Sequence, residues 1–256
     1  MGEIIRYEQH GAVALITLSR PESMNAFDTA LRAAAAEAFA RAHHDESVRV
    51  VVFTGEGRCF SAGADLKAGI DRDVEEILQS EYRPVLEAIA DIPKPVIAAV
   101  PGSAAGIGMS MVLQCDLVIM ADNAFLLSPF TTISLVPDGG LNWTLVRQLG
   151  YRRAYQLSVE SERIAAQRCV DLGLANRAVP ADELQAAALD WAASLARRAP
   201  LSLAATKKAM RFALDHGWDE SYDVEAALQG ELLGSEDNKE GIQAFFDKRA
   251  PEFKGK

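Results

Sequence analysis

Cysteine and histidine are scarce in this chain: Cys59, Cys115 and Cys169, and His10, His43, His44 and His216, are all that 256 residues contain. The cysteines are far apart and odd in number, with no CxxC pair and no Cys/His cluster at metal-ligand spacing. That argues against a disulfide framework and a structural metal. They read as small buried hydrophobes, and a reducing cytoplasm is the expected compartment. The histidines fall in a turn and at helix ends, as surface or capping residues. No apolar run approaches the roughly 18 residues of a membrane span, and residues 1–10 hold no apolar signal core, so no membrane partner is expected. Positive charge is in deficit, 26 Lys and Arg against 36 Asp and Glu, for a net charge of −10. Nucleic acid is therefore a poor partner, and an anionic ligand needs a local basic patch. The phosphate loop GxxxxGK[ST], a GxGxxG turn after a strand, HExxH, GxSxG and the EF-hand loop are all missing. Without nucleophile, metal or nucleotide motifs, chemistry would rest on backbone dipoles and carboxylates.

What is present is globular. Apolar residues make up 49% and charged residues 24%, enough for a full core in one or two domains. Residues 4–9 and 12–18 read as two strands about Gly11, the second alternating at period two. An alanine-rich stretch predicts a helix to about His44, capped by Asp28 or Thr29. Residues 48–54 and 95–100 have the pattern of buried strands; residues 117–121 and Phe125–Leu127 predict two more. Residues 56–69 read as irregular, 74–90 as a polar helix kinked at Pro84, and 106–114 as a short apolar helix behind the turn Pro101-Gly102-Ser103. Leu141–Leu149 reads as a helix behind Val136-Pro137-Asp138-Gly139-Gly140. Beyond it strand signals nearly stop, and residues 181–198, 201–216, 218–233 and 235–248 all read as helices. The pattern predicts an α/β core over residues 1–198 and a helical region over residues 199–256.

Two segments could bring bare backbone to a ligand. Cys59-Phe60-Ser61-Ala62-Gly63-Ala64-Asp65-Leu66-Lys67 follows one buried strand. Gly102-Ser103-Ala104-Ala105-Gly106-Ile107-Gly108-Met109 follows the next and opens a helix, whose first N–H groups are unpaired and sit at the positive dipole end. Small residues permit close approach, and two converging N–H donors form an oxyanion hole. Tight strand–helix packing explains the same small residues equally well.

The run Phe60-Ser61-Ala62-Gly63-Ala64-Asp65-Leu66 resembles the crotonase, or enoyl-CoA hydratase/isomerase, family. So does Lys94-Pro95-Val96-Ile97-Ala98-Ala99-Val100-Pro101-Gly102, continuing through Gly106-Ile107-Gly108 to Cys115-Asp116-Leu117. Arg20-Pro21, Asn25-Ala26, Gly173-Leu174-Ala175 and Lys248-Arg249-Ala250-Pro251-Glu252-Phe253 extend the likeness over nearly the whole chain. The resemblance implies an α/β (α+β) fold, a spiral of ββα units with a C-terminal helical region used in forming a homotrimer or dimer of trimers. It implies an acyl-CoA thioester as substrate, with no cofactor beyond the coenzyme A of that thioester and no metal. The oxyanion hole would be the N–H groups of Ala62 and Ile107, although the family usually has glycine at the second position. Adenine would lie near Ala62, Ala64 and Leu66, with Asn25 and Ala26 contributing. Asp65, Lys67, Gly106 and Met109 complete the expected binding surface.

The family's hydratases carry two glutamates, whose positions fall on Ser110 and Phe130 here. Adding water across C=C needs a base for the water and an acid for the α-carbon, so ordinary hydration is in doubt. Ser110 could still orient water or substrate. Asp138 resembles the active-site aspartate of family isomerases, and one base with an oxyanion hole suffices to move a double bond. A pocket of Phe130, Leu126 and Met109 would desolvate it and raise its pKa. The competing reading makes Asp138 the cap of the following helix. Asp65 and Asp116 read as structural. The basic tail (Lys248, Arg249, Lys254, Lys256) could pair coenzyme A phosphates across a subunit boundary or be a solvated, frayed terminus. The rival functions are a hydratase-like lyase, other enolate chemistry such as dehalogenation or hydrolysis, and an acyl-CoA-binding protein without catalysis.

Overall fold

The computed structural model describes residues 3–67 and 73–256. The first two residues and the end of the irregular 56–69 stretch lie outside them. Two sheets organise the chain. The larger takes β1 (Ile5–His10), β2 (Val13–Leu18), β3 (Val50–Gly55), β5 (Val96–Val100), β7 (Leu117–Ala121) and β10 (Arg177–Val179), in that spatial order. Only the β1–β2 hairpin is antiparallel; each later pair is parallel. The smaller takes β4 (Cys59–Ser61), β6 (Ser103–Ala105), β8 (Phe125–Leu127) and β9 (Ile164–Ala165). Strand pairs β3/β4, β5/β6 and β7/β8 each place their first member in the large sheet and their second in the small one. This is the repeated ββα spiral of a mixed α/β protein. Every residue of β2 and β5 is buried, as parallel strands covered on both faces require.

Helix α1 (Thr29–His44) starts at Asp28, whose carboxylate accepts the Leu31 N–H. It buries Leu31, Ala35, Ala38, Phe39 and Ala42 along one face. Phe39, Phe53 and Phe60 pack edge to face at 5.2 and 5.0 Å, joining α1 to both sheets. The helix expected over 74–90 has a different form. Helix α2 (Val74–Ile77) widens into a π turn at Leu78–Tyr82, closed by the Arg83 N–H on the Leu78 carbonyl, before α3 (Arg83–Asp91) resumes. Pro84 offers no N–H to the preceding turn, and the helix absorbs the loss by widening.

Helix α4 (Ile107–Gln114) is buried along nearly its whole length, and α5 (Leu141–Leu149) packs beside it. Helices α6 (Tyr151–Glu160) and α7 (Ala166–Asp171), with β4, β6, β9 and β10, were not expected from the sequence. Strands of two or three residues are too short to show a period and exist through their partners. Helix α8 (Leu184–Ala196) uses Ala188, Ala192 and Ala196 to lie close against the large sheet.

Then come α9 (Pro200–Ala213), α10 (Trp218–Leu232) and α11 (Glu236–Asp247), which bury few residues. Asp116 anchors α9 to the core, pairing with Lys207 at 2.8 Å and Arg211 at 3.0 Å while accepting the Val96 N–H. The chain end is not frayed: buried Asp237 accepts the N–H groups of Lys254 and Gly255, and Arg49 donates to the Phe253 carbonyl. No helix among the described residues is long and apolar enough to cross a membrane.

Candidate active site

The loops after β4 and β6 meet at two glycines. Gly63 has φ +102° and Gly106 φ +55°, both open to glycine and strained for other residues. A Cβ on Gly63 would lie 2.9 Å from the Ala105 carbonyl oxygen and 3.6 Å from the Gly106 Cα. The residues after these glycines, Ala64 and Ile107, therefore stand side by side.

Hydrogen bonding decides which amides are free. The Ala62 N–H donates to the Met24 carbonyl at 2.9 Å, so it cannot also hold a ligand oxygen. The Gly63 N–H donates to Ser61 Oγ and the Asp65 N–H to the Phe27 carbonyl. Among the described residues nothing accepts the Ala64 N–H, and Ala64 is exposed. The Ile107 N–H, first in α4, is equally free. The pair available to an oxyanion is thus Ala64 with Ile107 rather than Ala62 with Ile107. Several amides of this loop look alike in sequence, and the strand of chain around Met24 and Phe27 selects among them.

Asp138 is fixed over the same helix. Ser110 Oγ donates to its backbone carbonyl at 3.0 Å. A Cβ on the next residue, Gly139, would collide with Ile107 Cδ1 and come within 3.0 Å of Ser110 Cβ. The helix-cap reading fails: α5 is capped by Gly140, with no side-chain bond at that end. The Asp138 Oδ1 is buried with no hydrogen-bond partner among the described residues. Desolvation pushes the carboxyl from its ordinary value of 3.8 up to about 6. A group with that affinity, unspent on the fold and poised near neutral pH, can take and return a proton.

The expected lining is only partly in place. Phe130 stands against Gly106, its Cζ 3.8 Å from where a Cβ would be. Met109 and Leu126 are sealed in the core and offer no surface to a ligand. Beside Gly139 and Gly140 lies a cavity of about 580 Å³, walled in part by Tyr82, Leu86, Trp143 and Leu214.

Of the expected coenzyme contacts, Leu66 and Lys67 are exposed. Asn25 is wholly buried, its amide spent on the Arg20 N–H and the Glu56 and Cys59 carbonyls. It holds the loop in place of touching a ligand, and buried Ala26 belongs to the same turn. Asp65 pairs with Arg20 at 3.4 Å and accepts the Lys67 N–H, as a loop organiser. Arg249 is engaged by Glu240 and Asp247. The three cysteines are free thiols in the interior, and no metal-binding cluster occurs among the described residues.

Comparison with known proteins agrees with this architecture. The family model described as enoyl-CoA hydratase/isomerase matches residues 8–256. The chain is 42% identical to a probable enoyl-CoA hydratase of Rhodobacter capsulatus, over 98% of each chain. It is 34% identical to a 1,2-epoxyphenylacetyl-CoA isomerase of Escherichia coli over the whole of both. The crystal structure of an enoyl-CoA hydratase from Polaromonas sp. JS666 superposes with a TM-score of 0.93 at 38% identity, covering 97% of this chain and 99% of that one. Two sheets wound as ββα units, free amides at their seam and a match over nearly every residue lead to one conclusion: the chain belongs to the enoyl-CoA hydratase/isomerase family.

Proposed function

We propose that this acyl-CoA enzyme moves a carbon–carbon double bond of an enoyl-CoA, with Asp138 as its single base. The unpartnered, buried Oδ1 of Asp138 carries the reading. In a 3-enoyl-CoA the carboxylate takes a proton from C2, and the electron pair delocalises onto the thioester oxygen. The Ala64 and Ile107 N–H groups hold that developing charge. The same carboxyl then returns the proton to C4 as C2=C3 forms, so no water enters and the base is regenerated. Ser110 and Phe130 stand where hydratases resemble one another in carrying glutamates. Ser110 also directs its hydroxyl to the Asp138 backbone carbonyl.

Incubation with 3-enoyl-CoA and 2-enoyl-CoA tests this. Conversion of the first to the second, lost in Asp138→Asn and kept in Ser110→Ala, supports isomerisation. Formation of 3-hydroxyacyl-CoA favours the second reading, a hydratase, for which the name of the Rhodobacter relative speaks. Acyl-CoA affinity without turnover of either would leave a binding protein. We further propose that residues 1–198 carry substrate and chemistry without a cofactor. Residues 199–256 would join subunits into a homotrimer or dimer of trimers in the cytoplasm. Trp218, Tyr222, Phe245 and Phe246, all solvent-facing in the single chain, support that assembly.

A further inference from the structure

The acid–base reading leaves one buried charged cluster unexplained. Arg32, in the first turn of α1, is only 8% exposed. Its Nη1 donates to the Phe27 carbonyl at 3.2 Å and to Tyr82 Oη at 3.1 Å. The Tyr82 hydroxyl donates in turn to the same Phe27 carbonyl at 3.3 Å. The remaining guanidinium nitrogens are held by Glu81 and Thr29, and the guanidinium lies over the Tyr82 ring at 4.6 Å. Tyr82 reaches this point from the end of the π turn.

The carbonyl that receives these donors is not an arbitrary one. It also accepts the Asp65 N–H at 3.1 Å, while the Phe27 N–H donates to the Gly63 carbonyl at 2.8 Å. Phe27 therefore grips the residues on both sides of Ala64, whose free amide is the first oxyanion donor. Burying a guanidinium is expensive, and the core does not call for one here; five donors in a rigid fork suit the fixing of an acceptor's direction.

We propose that Arg32 and Tyr82 are positioning residues for the oxyanion hole: they lock the Phe27 carbonyl, and through it the direction of the Ala64 N–H. This rests on the two-amide cradle of the proposed function, whichever enolate chemistry that cradle serves. The carbonyl stretch of bound butyryl-CoA, ¹³C-labelled at the thioester, reads the cradle without turnover. In wild type it shifts down from the free value. In Tyr82→Phe, which keeps the ring and removes only the hydroxyl, the downshift falls by about half and kcat by about tenfold, with KM nearly unchanged. Arg32→Lys, which keeps the charge and loses the fork, behaves alike and carries the test should Tyr82→Phe not fold. Folded variants with the full wild-type downshift and unchanged kcat overturn the proposal, whatever their melting temperature. Absence of a downshift in wild type overturns it together with the cradle. A downshift present in wild type and weakened in the variants, with no isomerisation by any form, supports positioning while defeating the isomerase.

Discussion

Two aspartates border helix α4 and have opposite surroundings. Asp116, just past its C-terminal end, has both oxygens occupied: Lys207 and the Val96 N–H on one, Arg211 on the other. Asp138 is tied to the helix only through its backbone, by Ser110, and its carboxylate is left with a buried, unpartnered oxygen. Both are partly withdrawn from water, and they differ in what occupies their oxygens. What separates a clamp from a proton carrier is whether the fold supplies cations and amides to the carboxylate.

The widest gap between the two should appear in activity. Asp138→Asn is expected to lower double-bond isomerisation by about 10²–10⁴-fold, measured by turnover of 3-enoyl-CoA, with a native circular dichroism spectrum. Asp116→Ala should leave kcat of the folded protein near wild type. Its cost falls on stability, about 3 kcal/mol in urea unfolding, because Lys207 and Arg211 lose their shared counter-ion. Equal loss of turnover in both variants would erase the distinction.

Stability should separate them in sign as well. Asp138 has its folded-state pKa raised, to about 6 from 3.8, so the folded protein binds the proton more tightly than the unfolded chain does. Stability is full below pH 4, declines as pH rises through about 6, and stays lower by up to about 3 kcal/mol above it. Asp138→Asn should therefore raise the melting temperature at pH 7.5 and leave it little changed at pH 4, opposite to Asp116→Ala at neutral pH. In wild type, kcat/KM should climb about tenfold per unit below pH 6 and level off above it, since the base acts ionised. The smallest effect belongs to Ser110→Ala. Losing one neutral hydrogen bond to the Asp138 carbonyl costs about 1 kcal/mol of stability, with isomerisation kept within a few-fold. A collapse of turnover in that variant would instead assign the serine to the chemistry.

Much of this was legible before any coordinates. The long strands, α1 with its Asp28 cap, the helical C-terminal region and the seam of small residues all follow from local patterns. Such patterns record what a residue does to its own neighbourhood: alternation, capping, the room that glycine leaves. Local patterns are silent where a distant partner decides. Ala62 and Ala64 are both small residues flanking Gly63, and only the Met24 carbonyl, brought in by the loop after β2, shows that the first amide is spent. The family resemblance makes Asn25 a ligand contact, yet three backbone groups from two segments enclose it. Tyr82 carried no signal at all, since its role depends on a π turn that Pro84 provokes and on Arg32 from another helix.

The sequence by itself determined the long strands of the large sheet, the glycines that let two loops touch, and the presence of a lone carboxylate ahead of α5, because each is written in residue type and spacing. Tertiary structure alone decided which amide stays unbonded and which aspartate goes without a counter-ion. Hydrogen bonds and ion pairs are contracts between groups far apart in the chain, and a carboxylate's proton affinity is set by whatever those distant groups bring to it or withhold.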